Sequence, residues 1–157
     1  MENLNQNLEK FDEALVRFAS RVAAPFARFS IFFVYFYFGA IKVFAEHGAA
    51  NPMVSALLDK VMPGITPDMF IIVFGVFEML IGLLFIFPYV ERLGLFLLAI
   101  HFVAIIMPLF LLPDMTWQSF MVPTLEGQYI IKNILILAVV IGLFSRCSTL
   151  KEDRPHV

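Results

Sequence analysis

Lys42, Glu78, His101 and Lys132 interrupt the most apolar stretches of a 157-residue chain. Two ammonium groups, a carboxyl and an imidazole can bind an anion, exchange protons or neutralise one another. Inside hydrocarbon each needs a partner, a route to water or a function. Lys42 stands near the end of its apolar run, so snorkelling to the headgroups through its four-carbon stem competes with a role inside. Lys132 is deeper, and that escape is harder. Glu78 falls in the middle of its run and must be protonated, paired or wetted. A purely structural Glu78–lysine pair holding helices together is its plainest reading. His101 is either a hydrogen-bonded core residue or a proton carrier.

With both lysines protonated and Glu78 ionised, the interior carries surplus positive charge. A lysine that gives up its proton, outward snorkelling, Glu126 folding in, or a bound anion would each remove it. Glu126 opens the last apolar run six residues before Lys132, which makes it the protein partner to expect. A pocket with two ammonium groups, donors from Tyr35, Tyr129 and Gln128, and aromatic walls suits a small oxyanion or a quinone headgroup.

The elements that must position these groups follow from composition. The chain is 61% hydrophobic and 15% charged, with 19 Phe, against about 45–50% apolar and about 25% charged in soluble domains. An integral membrane protein is expected, in contact with the lipid bilayer. Four continuous apolar segments, about 26–44, 69–87, 93–112 and 125–144, reach the roughly 20 residues that a helix needs to cross a bilayer core. Their continuity argues against strands. Breakers separate them: Asn51-Pro52, the PGITP run at 63–67, Pro88, and Pro113-Asp114. The fold class expected is all-α, an antiparallel bundle of four transmembrane helices.

Basic residues set a direction. Lys10, Arg17, Arg21, Arg28, Arg92, Arg146, Lys151 and Arg154 fall on one side of the spans, and Lys60 alone on the other. The positive-inside rule then puts both termini in the cytoplasm. Residues 1–24 read as a cytoplasmic amphipathic helix, with Leu4, Leu8, Phe11, Leu15, Phe18 and Val22 three and four apart. It would lie along the inner interface or pack on a partner. Residues 25–146 form the membrane domain and 147–157 a cytoplasmic tail. The mixed-charge start shows no signal-peptide pattern. At 1.5 Å per residue, Lys132 lies about 9–10 Å from the outer end of its span, and Glu78 and His101 lie about halfway through theirs.

Helical spacing shows what shares each face. Tyr35, Phe38 and Lys42 align in the first span, with Gly39 one turn before the lysine. Gly75, Glu78 and Gly82 form a stripe that admits close helix approach in the second. Gly94, His101 and Pro108 align in the third; Gln128, Tyr129 and Lys132 make a polar patch in the fourth. Each span thus has a face that lipid penalises, and the four are expected to meet. The segment PDMTWQSFMVPTLEGQY, 113–129, is too apolar for a solvated loop and reads as a re-entrant or interfacial cap, with Trp117 at headgroup level. A second short helix, PMVSALLDKVM in the loop 45–68, would lay its apolar face of Met53, Leu57 and Val61 on the outer surface of the membrane.

Several chemistries find no support in the sequence. Cys147 is a lone thiol, so no intramolecular disulfide forms and a dithiol exchange reaction is excluded. His101 is inside, with His47 and His156 outside the spans, which leaves no bis-His haem site. No zinc spacing or flavin site is evident. The net charge of −2 and the absence of a basic block speak against nucleic acid.

The motifs RFSIFFVYFYFGAIKVF (a G-x-x-K element), FGVFEMLIGLLFIFP (an E-x-x-x-G element) and VPTLEGQYIIKNILIL resemble the DoxX-like superfamily of small bacterial inner-membrane proteins. The resemblance covers residues 26–144 and comes nearest to DoxX and YkgB-type proteins. It implies a four-helix membrane bundle in the bacterial inner membrane and a redox or oxidative-stress role. The group's associations are thiosulfate:quinone oxidoreduction in DoxD-type relatives, reactive-chlorine resistance in YkgB-type relatives, and oxidative-stress partners. Lys42, Glu78 and Lys132 fall on the motif positions. The long extracytoplasmic extension of a self-contained thiosulfate-oxidising subunit is missing here. The sequence therefore leads to a pocket open to the outer side, built from Lys42, Glu78, Lys132, Tyr35, Tyr129, Gln128, His101, Glu126 and Trp117. It would hold a small anion or a quinone, with a homodimer or a redox-protein partner. A non-enzymatic scaffold and a small dimeric transporter are the alternatives.

Overall fold

The computed structural model describes residues 2–45 and 52–152, with side chains described for 6–45 and 52–145. Expectations placed on His47, Arg154 and His156, and on the side chains of Leu4, Arg146, Cys147 and Lys151, lie outside the described residues. The chain is mostly helical, and among the described residues four helices are long and apolar enough to cross a membrane.

The first helix, α1, runs without interruption from Glu2 to Phe44. A separate amphipathic helix ending near residue 24 is therefore replaced by a single rod. Pro25 sits inside it, although proline removes a backbone donor from a helix interior. The expected apolar stripe on residues 8–22 is present but uncovered: Leu8, Phe11, Leu15 and Phe18 are all exposed.

Helix α2 spans Pro52–Val61, and α3 spans Pro67–Ile86. Pro67 at the first helical position and the Thr66 hydroxyl, which accepts from Met69 N, start α3. The third apolar run is not continuous: α4 covers Glu91–Ile106 and a single turn, α5, covers Pro108–Leu111. Pro108 has no N–H to offer the carbonyl one turn back, so the helix breaks at Met107. The fourth run also breaks, at Asn133, between α7 (Leu125–Lys132) and α8 (Ile134–Glu152). There the Asn133 Nδ2 donates to the Tyr129 and Ile130 carbonyls at 3.0 and 3.4 Å, competing with the backbone for those acceptors.

Residues 113–124 fold into a compact cap. It holds the single turn α6 (Pro113–Thr116) and an antiparallel hairpin of β1 (Trp117–Ser119) and β2 (Val122–Pro123). Met121 carries the turn at φ 60°. The Thr124 hydroxyl donates to the Met115 carbonyl and accepts from Gly127 N, which ties the cap to the first turn of α7. The Trp117 indole donates to the Leu109 carbonyl at 3.0 Å. These strands were not foreseen, because the alternation in this segment spans too few residues to separate from an irregular loop.

Packing is dominated by α1 against α3. A Cβ built on Gly39 would lie 2.6 Å from the Gly75 carbonyl oxygen, and one on Gly75 would lie 2.8 Å from the Gly39 carbonyl. The two backbones therefore touch, as small residues permit. Gly82 repeats the contact against the Phe32 and Phe36 backbone. Ile31, Tyr35, Ile81, Phe85, Leu98, Val140 and Leu143 form the core, drawn from α1, α3, α4 and α8. A smaller cluster of Met53, Leu112 and Ile130 joins α2 to the far end of the fold.

Gly75→Leu should force α1 and α3 apart and cost about 3 kcal/mol, in the range of overpacked cores. Gly142 has nothing within 4 Å of its would-be Cβ, so Gly142→Ala should leave the thermal midpoint in detergent unchanged or slightly higher. Equal midpoints for the two variants would mean that the backbone contact is not a determinant of stability.

Candidate functional site

The Gly39–Gly75 contact determines what the next turn of each helix can reach. Lys42 and Glu78 each lie three residues beyond their glycine, so both project from the crossing on the same side. Lys42 Nζ donates to Glu78 Oε2 at 2.5 Å. The other carboxylate oxygen, Oε1, lies 3.0 Å from His101 Nε2 on α4. His101 Nδ1 is in turn 3.3 Å from the Tyr35 hydroxyl on α1. Three helices thus contribute one unbranched chain: Lys42, Glu78, His101, Tyr35.

With Glu78 ionised and the imidazole neutral, the chain takes one polarity: His101 Nε2 carries a hydrogen towards the carboxylate, and Nδ1 accepts the Tyr35 O–H. The imidazole is 1% exposed. It is held flat against Phe74, with ring centroids 4.8 Å apart, and edge-on to Tyr35 at 5.1 Å. Tyr35 and Glu78 are also buried, whereas the Lys42 side chain keeps 31% exposure. The chain therefore runs from a partly open lysine to a sealed tyrosine. Beyond Tyr35 the core of Ile31, Phe85 and Leu98 closes it. Among the described residues no buried side-chain N or O lacks a hydrogen-bond partner.

This polar chain borders a cavity of about 580 Å³. The remaining wall is almost wholly apolar, with Phe38 on α1, Phe70 and Phe74 on α3, Ala104 and Ile105 on α4, and Ile130 and Ile136 on α7 and α8. Both helix breaks open onto it, since Met107, Pro108 and Asn133 are lining residues. Helix α2 covers one end. Met53 and Leu58 are its buried residues, and Lys60 Nζ donates to the Leu111 carbonyl at 2.7 Å. The apolar face expected of Met53, Leu57 and Val61 does form one side of α2, and it lines the cavity together with Leu58.

The sequence-based set divides. Lys42, Glu78, His101 and Tyr35 come together, and Tyr129 reaches the cavity wall although it is 61% exposed. Lys132 does not join them. It is exposed, with its Nζ 5.1 Å from the centroid of the Tyr129 ring. Gln128 and Glu126 are exposed as well, and Trp117 is used by the cap. The reason lies in α7. Gly127 is pressed against the Thr116 carbonyl and Ile130 is buried, and that rotation sends positions 126, 128 and 132 outward. With Lys132 outside and Lys42 paired to Glu78, the surplus interior charge expected from the sequence does not arise.

Three features escaped the sequence reading. Asn133 enters the cavity wall four residues after Tyr129, and a lone amide in an apolar run was the available signal. Phe74 is one of 19 phenylalanines and carried none. Arg28 pairs with Glu91, Nε to Oε1 and Nη2 to Oε2, both at 3.1 Å; Glu91 is 4% exposed. A basic and an acidic residue flanking two spans on the same side hinted at that pair.

Comparison with family models, curated proteins and solved structures yields no significant match.

Glu78→Leu keeps the volume but leaves Lys42 and His101 without their acceptor and should cost about 3 kcal/mol, since removing one partner of a buried pair strands the other. Lys132→Met should change stability by less than about 0.5 kcal/mol. Chemical denaturation in detergent measures both, and a Lys132 effect as large as that of Glu78 would return Lys132 to the interior.

Proposed function

We propose that this protein is a DoxX-like, redox-linked protein of the bacterial inner membrane that binds a quinone by its head. In this reading the four long helices form an antiparallel bundle with both termini in the cytoplasm. The observation that carries the proposal is the Lys42–Glu78–His101–Tyr35 chain set into an otherwise apolar cavity of about 580 Å³. An apolar chamber with a few convergent polar groups is the usual form of a small-molecule site. Exposed apolar side chains over most of the outer helix faces, among them Phe29, Phe33, Val73, Phe96 and Leu135, support a lipid surround, because patches of that extent do not stay bare in water.

A quinone matches the lining better than a small anion does. Glu78 already neutralises Lys42, and Lys132 stands outside, so no net positive charge calls for an oxyanion. A quinone ring is neutral and flat, suited to Phe74 and Phe38, and its carbonyl oxygen accepts hydrogen bonds. The Lys42 ammonium has three donors and uses one on Glu78. Reduction of a quinone takes two electrons and two protons. Electrons would come from a redox-protein partner, while Lys42 and, through the ionised Glu78, His101 would supply the two protons.

A scaffold is the second reading, favoured by the complete pairing of the buried polar atoms among the described residues. Such a network fixes helix register without a ligand. Adding a short-chain quinone to the purified protein separates the two. Quinone binding raises the thermal midpoint, by the equivalent of about 2.7 kcal/mol at a hundredfold excess over Kd. Lys42→Met and Ala104→Phe, which fills the cavity, should each abolish the rise, and Lys132→Met should keep it. If no quinone shifts the wild-type midpoint while Glu78→Gln changes the oligomeric state, the scaffold reading replaces this one.

A further inference from the structure

The chamber wall reaches the surface at two places. Phe38 on α1 and Tyr129 on α7 are 53% and 61% exposed, and Val61 and Met62, at the end of α2, are 40% and 38% exposed. At the first place the two residues stand on α1 and α7, which share little packing among the described residues. Contact of α1 with α8 runs through the core of Ile31, Tyr35, Val140 and Leu143, and beyond Tyr35 no comparable packing joins α1 to α7. The second place is the edge of a cover that is held down, with Met53 and Leu58 buried beneath it and Lys60 bonded to the Leu111 carbonyl.

We propose that the chamber opens sideways between α1 and α7, and that its ligand is a membrane-dissolved amphiphile whose single apolar chain lies in that slot. The proposal rests on the quinone-head reading above and adds the chain and the route. A chain lying between Phe38 and Tyr129 exchanges lipid contact for protein contact of the same kind, so leaving the bilayer costs it little. Entry past α2 would instead break the Lys60 bond and uncover Met53 and Leu58. Lys42 lies one turn from Phe38, so a head coming through the slot meets its hydrogen-bond donor at the threshold. Because that lysine is paired with Glu78 and Lys132 stands apart, a phosphate head finds no unpaired cation among the described lining residues. The slot therefore selects an uncharged, single-chain lipid such as a prenyl quinone over a phospholipid.

Two photoreactive probes test this on the full chain in lipid nanodiscs. One is a quinone with a diazirine at the far end of its tail, and the other is a phosphatidylcholine with the diazirine on an acyl chain. The quinone probe should label peptides containing Phe38 and Tyr129, and this labelling should fall roughly tenfold when unlabelled tailed quinone saturates the site. The phosphatidylcholine probe should show no such competed labelling. Competed labelling at Val61 and Met62 in place of Phe38 and Tyr129 would overturn the lateral route. Equal labelling by both probes would reduce the slot to an unselective lipid crevice. If a tailless quinone stabilises the protein as well as the tailed one and the tail marks no fixed position, the head site stands and the slot falls. If neither quinone stabilises or labels, the head site and the slot fall together.

Discussion

A carboxylate buried among phenylalanines is tolerated only when cations or donors meet both of its oxygens, and Glu78 depends on that condition. Lys42 takes one oxygen and His101 the other, so α1 and α4 are bound to α3 through a single side chain. Desolvating the carboxyl is costly, and the cost is offset only in the arrangement that brings both partners within hydrogen-bond reach. Such a constraint discriminates between helix registers more sharply than apolar packing, which tolerates sliding and repacking. The histidine is positioned in its turn by Phe74 and Tyr35, so the polar chain is enclosed by aromatic contacts that leave little freedom for the imidazole.

The close approach of α1 and α3 makes that arrangement possible. With Gly39 against Gly75 and Gly82 against the Phe32 and Phe36 backbone, the helix axes lie near enough for a lysine and a glutamate to meet one turn away. Larger residues there would separate the helices and leave Lys42 to seek the surface. At the other end, Arg28 and Glu91 join α1 to α4 with two parallel hydrogen bonds, a geometry that fixes orientation as well as distance. Between the two ion pairs lie the packed apolar core and the Tyr35–His101 contact. The cavity of about 580 Å³ lies at the Lys42 pair and not at the Arg28 pair.

That asymmetry has a local counterpart. Continuous helices would pack along their whole length, but the third and fourth apolar runs break at Met107 and Asn133. Both breaks face the cavity. A missing donor at Pro108 and a competing amide at Asn133 each disturb the backbone ladder beside the chamber, which the Lys42–Glu78–His101–Tyr35 chain borders and α2 covers at one end.

Much of this was legible in the linear chain. Four apolar runs of bilayer length, the glycine stripe with Glu78, and the alignment of Tyr35, Phe38 and Lys42 follow from hydrophobic length and the 3.6-residue period, which are local properties. Those properties show which residues share a face, but not where that face points. Gln128, Tyr129 and Lys132 do share one, yet the packing of Gly127 on the Thr116 carbonyl turned it outward, so Lys132 and Glu126 were placed inside by the sequence and outside by the fold. The pairing of Arg28 with Glu91 was decided in the same way. It depends on contact between residues distant in sequence, and helical periodicity carries no information about the rotation of one helix relative to another.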